Sequence, residues 1–466
     1  MMAIQNPFAS SDDSQPQSRA SSLYITQRRF PSSGGISVAE GGERSEGGEH
    51  SSSIEEKTSS KRRFQSFRLR GEYAQPWKAD KRTDRVKYSN HIVYGFMTLA
   101  FLLCGYIIFT GYKSVVRHDY CLVYEDDFKT LDTSIWSHEV QLGGFGTGTF
   151  DWTTSDPANA YITPEGLRIT PTLTNETTSI SNAQIEHGYL LNLTSDGTCT
   201  GVGNKACAVF SNFTTGRIIN PIRSARLTTK GRKSITYGRV EVTAKLPKGD
   251  WMWPAIWMMP EADTYGEWPK SGEIDIMEAR GNPPSYSTGG RDKFASSLHW
   301  GPDKSSDAYW RTTAGRAVRR SDFSDKFHTF GIEWSEDYLF TYMDSRLYTV
   351  LWVGFKDKPL WQKGNFGTFV DSNSSYYVDP WSSTGRKNTP FDQPFYLILN
   401  LAVGGTDGHF PDGEGGKPWI NANPNAMSDF WKSADQWLPT WPAQNDRGMT
   451  IKKIKMWQQG KCGSPN

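Results

Sequence analysis

The sequence predicts an all-β jelly-roll β-sandwich, preceded by a single transmembrane helix and a disordered N-terminal tail. Three observations lead there. From about Tyr120 onward, short strand-like runs alternate with clusters of Gly, Pro, Asn and Asp, and no long amphipathic helical pattern interrupts them. The segment Ile92 to Tyr112 (IVYGFMTLAFLLCGYIIFTGY) runs 21 residues without a charge, enough to cross a bilayer as a helix. Residues 1 to 60 hold 15 serines, several Gly pairs and few bulky apolar side chains, so they cannot build a core.

In chain order, residues 1–91 read as a disordered, basic cytoplasmic tail. Its last part, residues 61 to 87, carries ten Lys or Arg against three acids, a composition suited to anionic lipid and to fixing topology. The apolar run at 92–112 begins too deep in the chain for a cleaved signal peptide and reads as a signal anchor, with a buried core helix as the alternative. Only Lys113 and Arg117 open the far side. The expected topology is therefore single-pass type II, with the C-terminal part lumenal or extracellular.

Two features agree with that side. Sequons occur at Asn175, Asn192, Asn212 and Asn373, all beyond the anchor. Of five cysteines, Cys104 lies in the span and four lie beyond it, an even number in an oxidising compartment. Three pairings are open. The favoured one joins Cys199 to Cys207 across a short Gly-containing loop, and Cys121 to Cys462 to tie the ends of the domain together.

Residues 118–466 form the expected globular domain. Strands are predicted at Tyr161 to Thr170, Tyr237 to Lys245, Lys326 to Trp334, Phe340 to Met343, Phe395 to Val403 and Met449 to Trp457, the last as a closing strand. The polar stretches at about 302 to 325 and 356 to 392 read as loop insertions. A net charge of +2 gives no argument for nucleic acid. The chain holds 18 Trp, all but Trp77 beyond residue 130, which suits a groove for flat sugar faces as well as an aromatic core.

The most informative stretch is Gly272-Glu273-Ile274-Asp275-Ile276-Met277-Glu278. In a regular strand Glu273 and Asp275 share one face and Glu278 points to the other. A β-bulge at Met277 slips the phase by one and brings all three acids to one side. The two glutamates would then stand about 5 Å apart, the separation that serves retaining glycoside hydrolysis. An acidic strand edge or a calcium site are the plainer readings, but the first does not favour three repelling acids on one face and the second usually sits on a loop.

Those residues, set in Trp268-Pro-Lys-Ser-Gly-Glu-Ile-Asp-Ile-Met-Glu-Ala-Arg-Gly-Asn282, resemble the signature of family 16 glycoside hydrolases in the laminarinase form, the form with the extra Met. Tyr237 to Gly249, Trp253 to Pro260, Leu298 to Pro302 and Leu399 to Gly405 are similar to that family in the same order. Gly404 through Trp419, Asp429-Phe-Trp431 and Trp437 to Trp441 resemble the animal branch, which holds both β-1,3-glucanases and β-1,3-glucan-binding proteins. The resemblance covers residues 120 to 462.

It implies a concanavalin A-like jelly roll with a substrate cleft, and catalysis by Glu273 as nucleophile, Glu278 as acid/base and Asp275 between them. It also implies a β-glucan polysaccharide as partner and no required cofactor. Trp268 is the leading sugar platform. Trp253 and Trp257 share alternation phase in the preceding strand, His299 resembles the family's cleft histidine, and Arg239, Asn400 and Trp431 are further substrate-binding candidates. No metal ligand set is assigned, although Glu125, Asp126 and Asp127 leave a structural calcium ion as an option. The expected activity is that of a membrane-anchored retaining endo-β-1,3-glucanase. A non-catalytic glucan recognition protein, a glucan transglycosylase and cleavage of mixed-linkage glucan remain the alternatives.

Overall fold

The computed structural model describes residues 67–68, 70–368, 375–443 and 447–463. The expected tail at 1–60 and the sequon Asn373 lie outside them. The chain divides into two units, Met1–Phe101 and Leu102–Asn466.

Asp84–Ser114 forms one α-helix of 31 residues, about 46 Å at 1.5 Å per residue. Among the described residues it is the one helix long and apolar enough to cross a membrane, judged by length and composition. Its apolar side chains, Phe101, Leu102 and Ile108 among them, are exposed. The buried core helix considered above is therefore not what forms.

The second unit is a sandwich of two eight-stranded antiparallel sheets. The outer sheet runs, from edge to edge, Ser345–Gly354, Tyr338–Met343, His328–Trp334, Gly238–Lys245, Met449–Gln459, Gly166–Ile169 and Ala160–Thr163, with Tyr120–Asp126 also paired to the closing strand. The inner sheet runs Thr313–Ala317, Lys293–His299, Glu273–Ala279, Met252–Pro260, Phe395–Val403, Arg226–Thr228 and Ser137–His138, with Ser234–Ile235 also paired to Phe395–Val403. Period-2 alternation decides which face goes inward. Val240, Val242 and Ala244 of the outer sheet and Ile256, Met258, Leu397 and Leu399 of the inner sheet are fully buried in one core.

The expected run at 161 to 170 is in fact a hairpin that turns at Pro164 and Glu165. The stretch at 302 to 325 is not loop alone. It supplies Thr313–Ala317, the edge strand of the inner sheet, whose short alternation of small and polar residues hides it in sequence. The stretch at 356 to 392 carries Trp361, Phe366 and Trp381, which pack together and against Trp300, so it extends the main core with a cluster of aromatic rings.

A smaller lobe buries Val140, Leu142, Ile185, Leu191, Leu193, Val209 and Ile219. The Cys199–Cys207 disulfide closes its loop, and Cys121–Cys462 staples the first strand of the sandwich to the end of the last. Asn175, Asn192 and Asn212 all lie in or beside this lobe and are half-buried, and the last two accept hydrogen bonds from the backbone of their own turns.

Candidate active site

The acidic strand, Glu273–Ala279, lies between Met252–Pro260 and Lys293–His299. On one side Trp257 pairs with Asp275 and Ile256 with Met277, so Ile276 is skipped. On the other side Asp275 pairs with Ser297 and Glu278 with Ala295, three steps against two. This is a bulge made by Ile276 and Met277 together. Both drop into the core, Ile276 at 1 % and Met277 at 0 % exposure beside Ile274, and Glu278 returns to the face of Glu273 and Asp275. Ser296, opposite the bulge, donates its hydroxyl to the Ile276 carbonyl at 2.7 Å and so holds the irregular backbone.

Gly272 leads the chain into this strand with φ +83°, a conformation that L side chains avoid, and a Cβ there would crowd Phe391 and Pro390 at 3.1 Å. The preceding loop carries Trp268. It is pinned by Ser271, which donates its hydroxyl to the Gly266 carbonyl at 2.7 Å, and by Trp381, whose indole donates to the Lys270 carbonyl at 2.8 Å.

Each glutamate is held by an indole. Trp268 donates Nε1–H to Glu273 Oε2 at 2.5 Å, and Trp253 donates Nε1–H to Glu278 Oε1 at 3.0 Å. Asp275 sits deeper, at 2 % exposure. His299 closes the group: its Nε2 lies 3.1 Å from Asp275 Oδ2, and its Nδ1 lies 2.5 Å from Asp307 Oδ2. One oxygen each from Glu273 and Asp275 and a ring nitrogen of His299 fall within 4.8 Å of one another.

Crowding acids into a half-buried site moves their proton affinities. Burial pushes the Glu278 carboxyl up to about 7, with the Glu273 charge adding to the rise and the His299 cation and the Trp253 hydrogen bond opposing it. Asp275 is raised well above the ordinary carboxylate range, first by burial and then by Glu273 and Glu278. Burial works against a charged His299 ring, but the Asp275 and Asp307 carboxyls beside its two nitrogens outweigh it and hold the imidazole well above its ordinary value. The arrangement keeps one carboxyl protonated near neutral pH beside another of different environment, as two-carboxylate acid/base chemistry requires.

The other candidates divide. Trp257 lies on the same sheet face and donates Nε1–H to Asn400 Oδ1 at 2.7 Å, so both are brought to the site side. Trp253 also reaches the site, but His409 lies flat over its ring at 3.9 Å and an angle of 7°, and the indole is 8 % exposed. Its position suits orienting Glu278 better than stacking sugar.

Arg239 is not brought to the site. It stands on the outer sheet, where its guanidinium pairs with Glu241 at 2.5 Å and lies 4.6 Å from the Trp457 ring centroid, because its strand buries the opposite phase in the core. Trp431, on the short helix Ala426–Lys432, packs between the main core and the core of the small lobe. Glu125, Asp126 and Asp127 do not converge as a ligand set: Glu125 pairs with Lys453, Asp127 with Lys129, and Asp126 accepts from Tyr124 and the Phe128 amide.

Several residues at the site were not foreseen. Asp307 comes from the stretch read as an insertion, and Tyr309 beside it stacks on His299 at 5.1 Å and 18°. Arg226 lies 4.6 Å from the Trp257 ring centroid and 3.9 Å from that of Phe145, and donates to Glu139 at 2.5 Å. An arginine in an apolar strand, Ser224-Ala-Arg-Leu227, is a sequence signal that could have marked it.

Comparison with known proteins places this geometry. A family model described as glycosyl hydrolases family 16 matches residues 174–356, a span that contains the acidic strand and His299. A beta-1,3-glucan-binding protein of Penaeus monodon is 38 % identical over 347 residues, covering 72 % of this chain and 90 % of that one. Glucan endo-1,3-beta-glucosidase A1 of Niallia circulans is 31 % identical over 288 residues, covering 61 % of this chain and 34 % of that longer protein. The laminarinase catalytic domain of Thermotoga maritima aligns over 74 % of this chain and all of its own length, at 23 % identity and a TM-score of 0.44. With a relative this similar aligned along nearly its whole length, and the family model lying across the bulged acidic strand, the chain belongs to glycosyl hydrolase family 16.

Proposed function

We propose that this protein is a retaining endo-β-1,3-glucanase of laminarinase type, held to a membrane by one helix. One observation carries the reading: the bulge puts Glu273 and Glu278 on one face, and the second is held protonated near neutral pH by burial.

In the first step Glu278 gives its proton to the glycosidic oxygen while Glu273 attacks the anomeric carbon, which forms a covalent glycosyl-enzyme and releases the rest of the chain with a new non-reducing-end hydroxyl. In the second, the Glu278 carboxylate takes a proton from water as that water displaces Glu273, which restores both groups. Trp268 and Trp253 hold the two carboxylates in place with their indole N–H groups. Trp257, Asn400 and the exposed edge of Trp268 offer a flat, hydrogen-bonding floor for pyranose rings.

The domain at 118–466 is proposed to act outside the cytoplasm, with residues 1–91 as the cytoplasmic tail, 92–112 as the anchor, and Asn175, Asn192, Asn212 and Asn373 as glycan acceptors. The two disulfides support an oxidising compartment.

A second reading has its own observation. The Penaeus monodon relative is named for binding glucan, and a protein of this kind would hold the polymer without cutting it. The test is to express the full chain, supply laminarin, and compare product sugars with those from Glu273→Gln. Reducing sugar released by the native chain and abolished in the variant supports the enzyme. Glucan binding with no release in either sinks it in favour of recognition, and products longer than the starting chains point to glycosyl transfer. For topology, glycosidase treatment should lower the mass of cell-derived protein; an unchanged mass, with the C-terminal domain open to protease only from the cytoplasmic side, would reverse the orientation.

A further inference from the structure

We propose that Asp307 is a positioning residue that keeps His299 a doubly protonated cation beside the carboxylates, and thereby sets the upper pH limit at which Glu278 works; this rests on the glucanase reading above.

The geometry starts with register. His299 ends its strand directly opposite Glu273. Its two ring nitrogens face two different carboxylates, Asp275 through Nε2 at 3.1 Å and Asp307 through Nδ1 at 2.5 Å. A neutral imidazole has one N–H and one lone pair. It would therefore turn a lone pair toward one of these two carboxyls, whereas the imidazolium presents an N–H toward each.

Asp307 is built to stay where it is. Its Oδ1 accepts the backbone N–H of Trp300 at 3.1 Å and of Tyr309 at 3.2 Å, which leaves Oδ2 aimed at the histidine. Its side chain is 8 % exposed, so water competes poorly for that oxygen. The Tyr309 ring, fixed by the same turn, lies nearly parallel to the imidazole, and Trp268 covers it from a tilted angle with ring centroids 5.7 Å apart.

Glu273, Asp275 and Glu278 face His299 from the acidic strand, Asp307 from the turn after its own strand, and Asp407 from the loop after Phe395–Val403. Lys304 and Arg280 are nearby cations: both act on Asp407, and Arg280 acts on Glu278 as well. The imidazolium thus offsets the local negative charge, and its field lowers the proton affinity of both Asp275 and Glu278 against the effect of burial. Without Asp307, the ring loses its proton more easily and Glu278 holds its own more tightly.

The variant Asp307→Asn keeps an acceptor for Nδ1–H but removes the charge. In the full chain in detergent, labelled histidine imidazole resonances, with His299 assigned by His299→Gln, should show a ring protonated at both nitrogens from pH 5 to 8 in the native protein. In Asp307→Asn the same ring should titrate within that range, and Asp307→Glu should restore the cation. The basic limb of kcat/KM on laminarin should move up by about one pH unit in Asp307→Asn, with KM within about twofold of native.

An identical His299 titration in native and variant, or an unmoved basic limb with kcat lowered evenly at all pH, would mean that Asp307 only braces the turn, and overturns the proposal. If Asp307→Asn fails to fold, the titration of Asp307→Ser at low temperature decides in the same way. Should the native chain release no sugar at all, the glucanase reading fails, while the imidazole titration still decides the role of Asp307.

Discussion

Trp268 and Glu273 stand five residues apart in the chain, and the indole N–H of the first donates to a carboxylate oxygen of the second at 2.5 Å. A hydrogen bond to a charged acceptor contributes about 1.5–3 kcal/mol. Because it also aims the nucleophile, Trp268→Phe should lower kcat on laminarin by roughly 10- to 100-fold. Steady-state kinetics test this, and a variant with native kcat and a raised KM would make Trp268 a sugar platform only.

The proton on Glu278 sets the basic side of the reaction. With its carboxyl pushed up to about 7 by burial, kcat/KM should fall as pH rises through that value, because the acid form is consumed. Glu278→Gln should remove release from unactivated glucan while leaving binding intact. A basic limb that persists unchanged in any residual activity of Glu278→Gln would assign it to another group.

The same shift has a stability consequence. The folded-state value lies above the ordinary carboxylate value, so the contribution of this group to stability is fully present below about pH 4.5 and lost as pH rises through about 7. Glu278→Gln should therefore raise the melting temperature at pH 7.5 and leave it nearly unchanged at pH 4. Equal shifts at both pH values would show that the group does not feel the burial described.

Met277 and Ile276 share the bulge, and both are buried. Inserting one alanine after Met277 carries the alternation one step further, which turns Glu278 toward the core and Ala279 toward the open face. Activity should vanish, and thermal stability should drop because a carboxylate is forced into an apolar interior. Met277→Leu, which keeps the bulge and the volume, should retain activity within a few fold; an active insertion variant would remove this register from the mechanism.

Cys121 and Cys462 join points 341 residues apart. Chain-entropy arguments give about 6 kcal/mol for closing so long a loop, with measured effects usually smaller. Replacing both by Ser should lower the melting temperature by roughly 5–10 °C and leave kcat unchanged, because the strands they join lie in the outer sheet. A scanning calorimetry trace with no shift would show that the pairing of the first strand with the closing strand, as at Leu122 and Trp457, holds the ends together without help.

Much of the site was legible because its chemistry is local. The spacing Glu273, Asp275, Glu278 in an apolar strand can be satisfied on one face only by an irregularity, so the bulge follows from period-2 geometry alone. Trp253 and Trp257 follow from the same rule. Arg239 was misplaced for an equally physical reason: alternation says that a residue faces away from the core, but in a sandwich there are two such faces, and its strand belongs to the outer sheet. Trp431 shows the same gap, since a tryptophan on a seven-residue helix can line a cleft or join two cores.

The sequence by itself determined the class of fold, the apolar helix and the three acids, because each rests on periodicity, length, composition or spacing along one stretch of chain. Only the tertiary structure decided which partners hold those acids. Asp307 reaches His299 from the turn after its own strand, His409 covers Trp253 from a loop distant in sequence, and Arg226 meets Trp257 from two strands away in the inner sheet. The proton affinity of Glu278 is decided in the same way, since burial and the charges of Glu273 and His299 are properties of packing, and no linear pattern carries them.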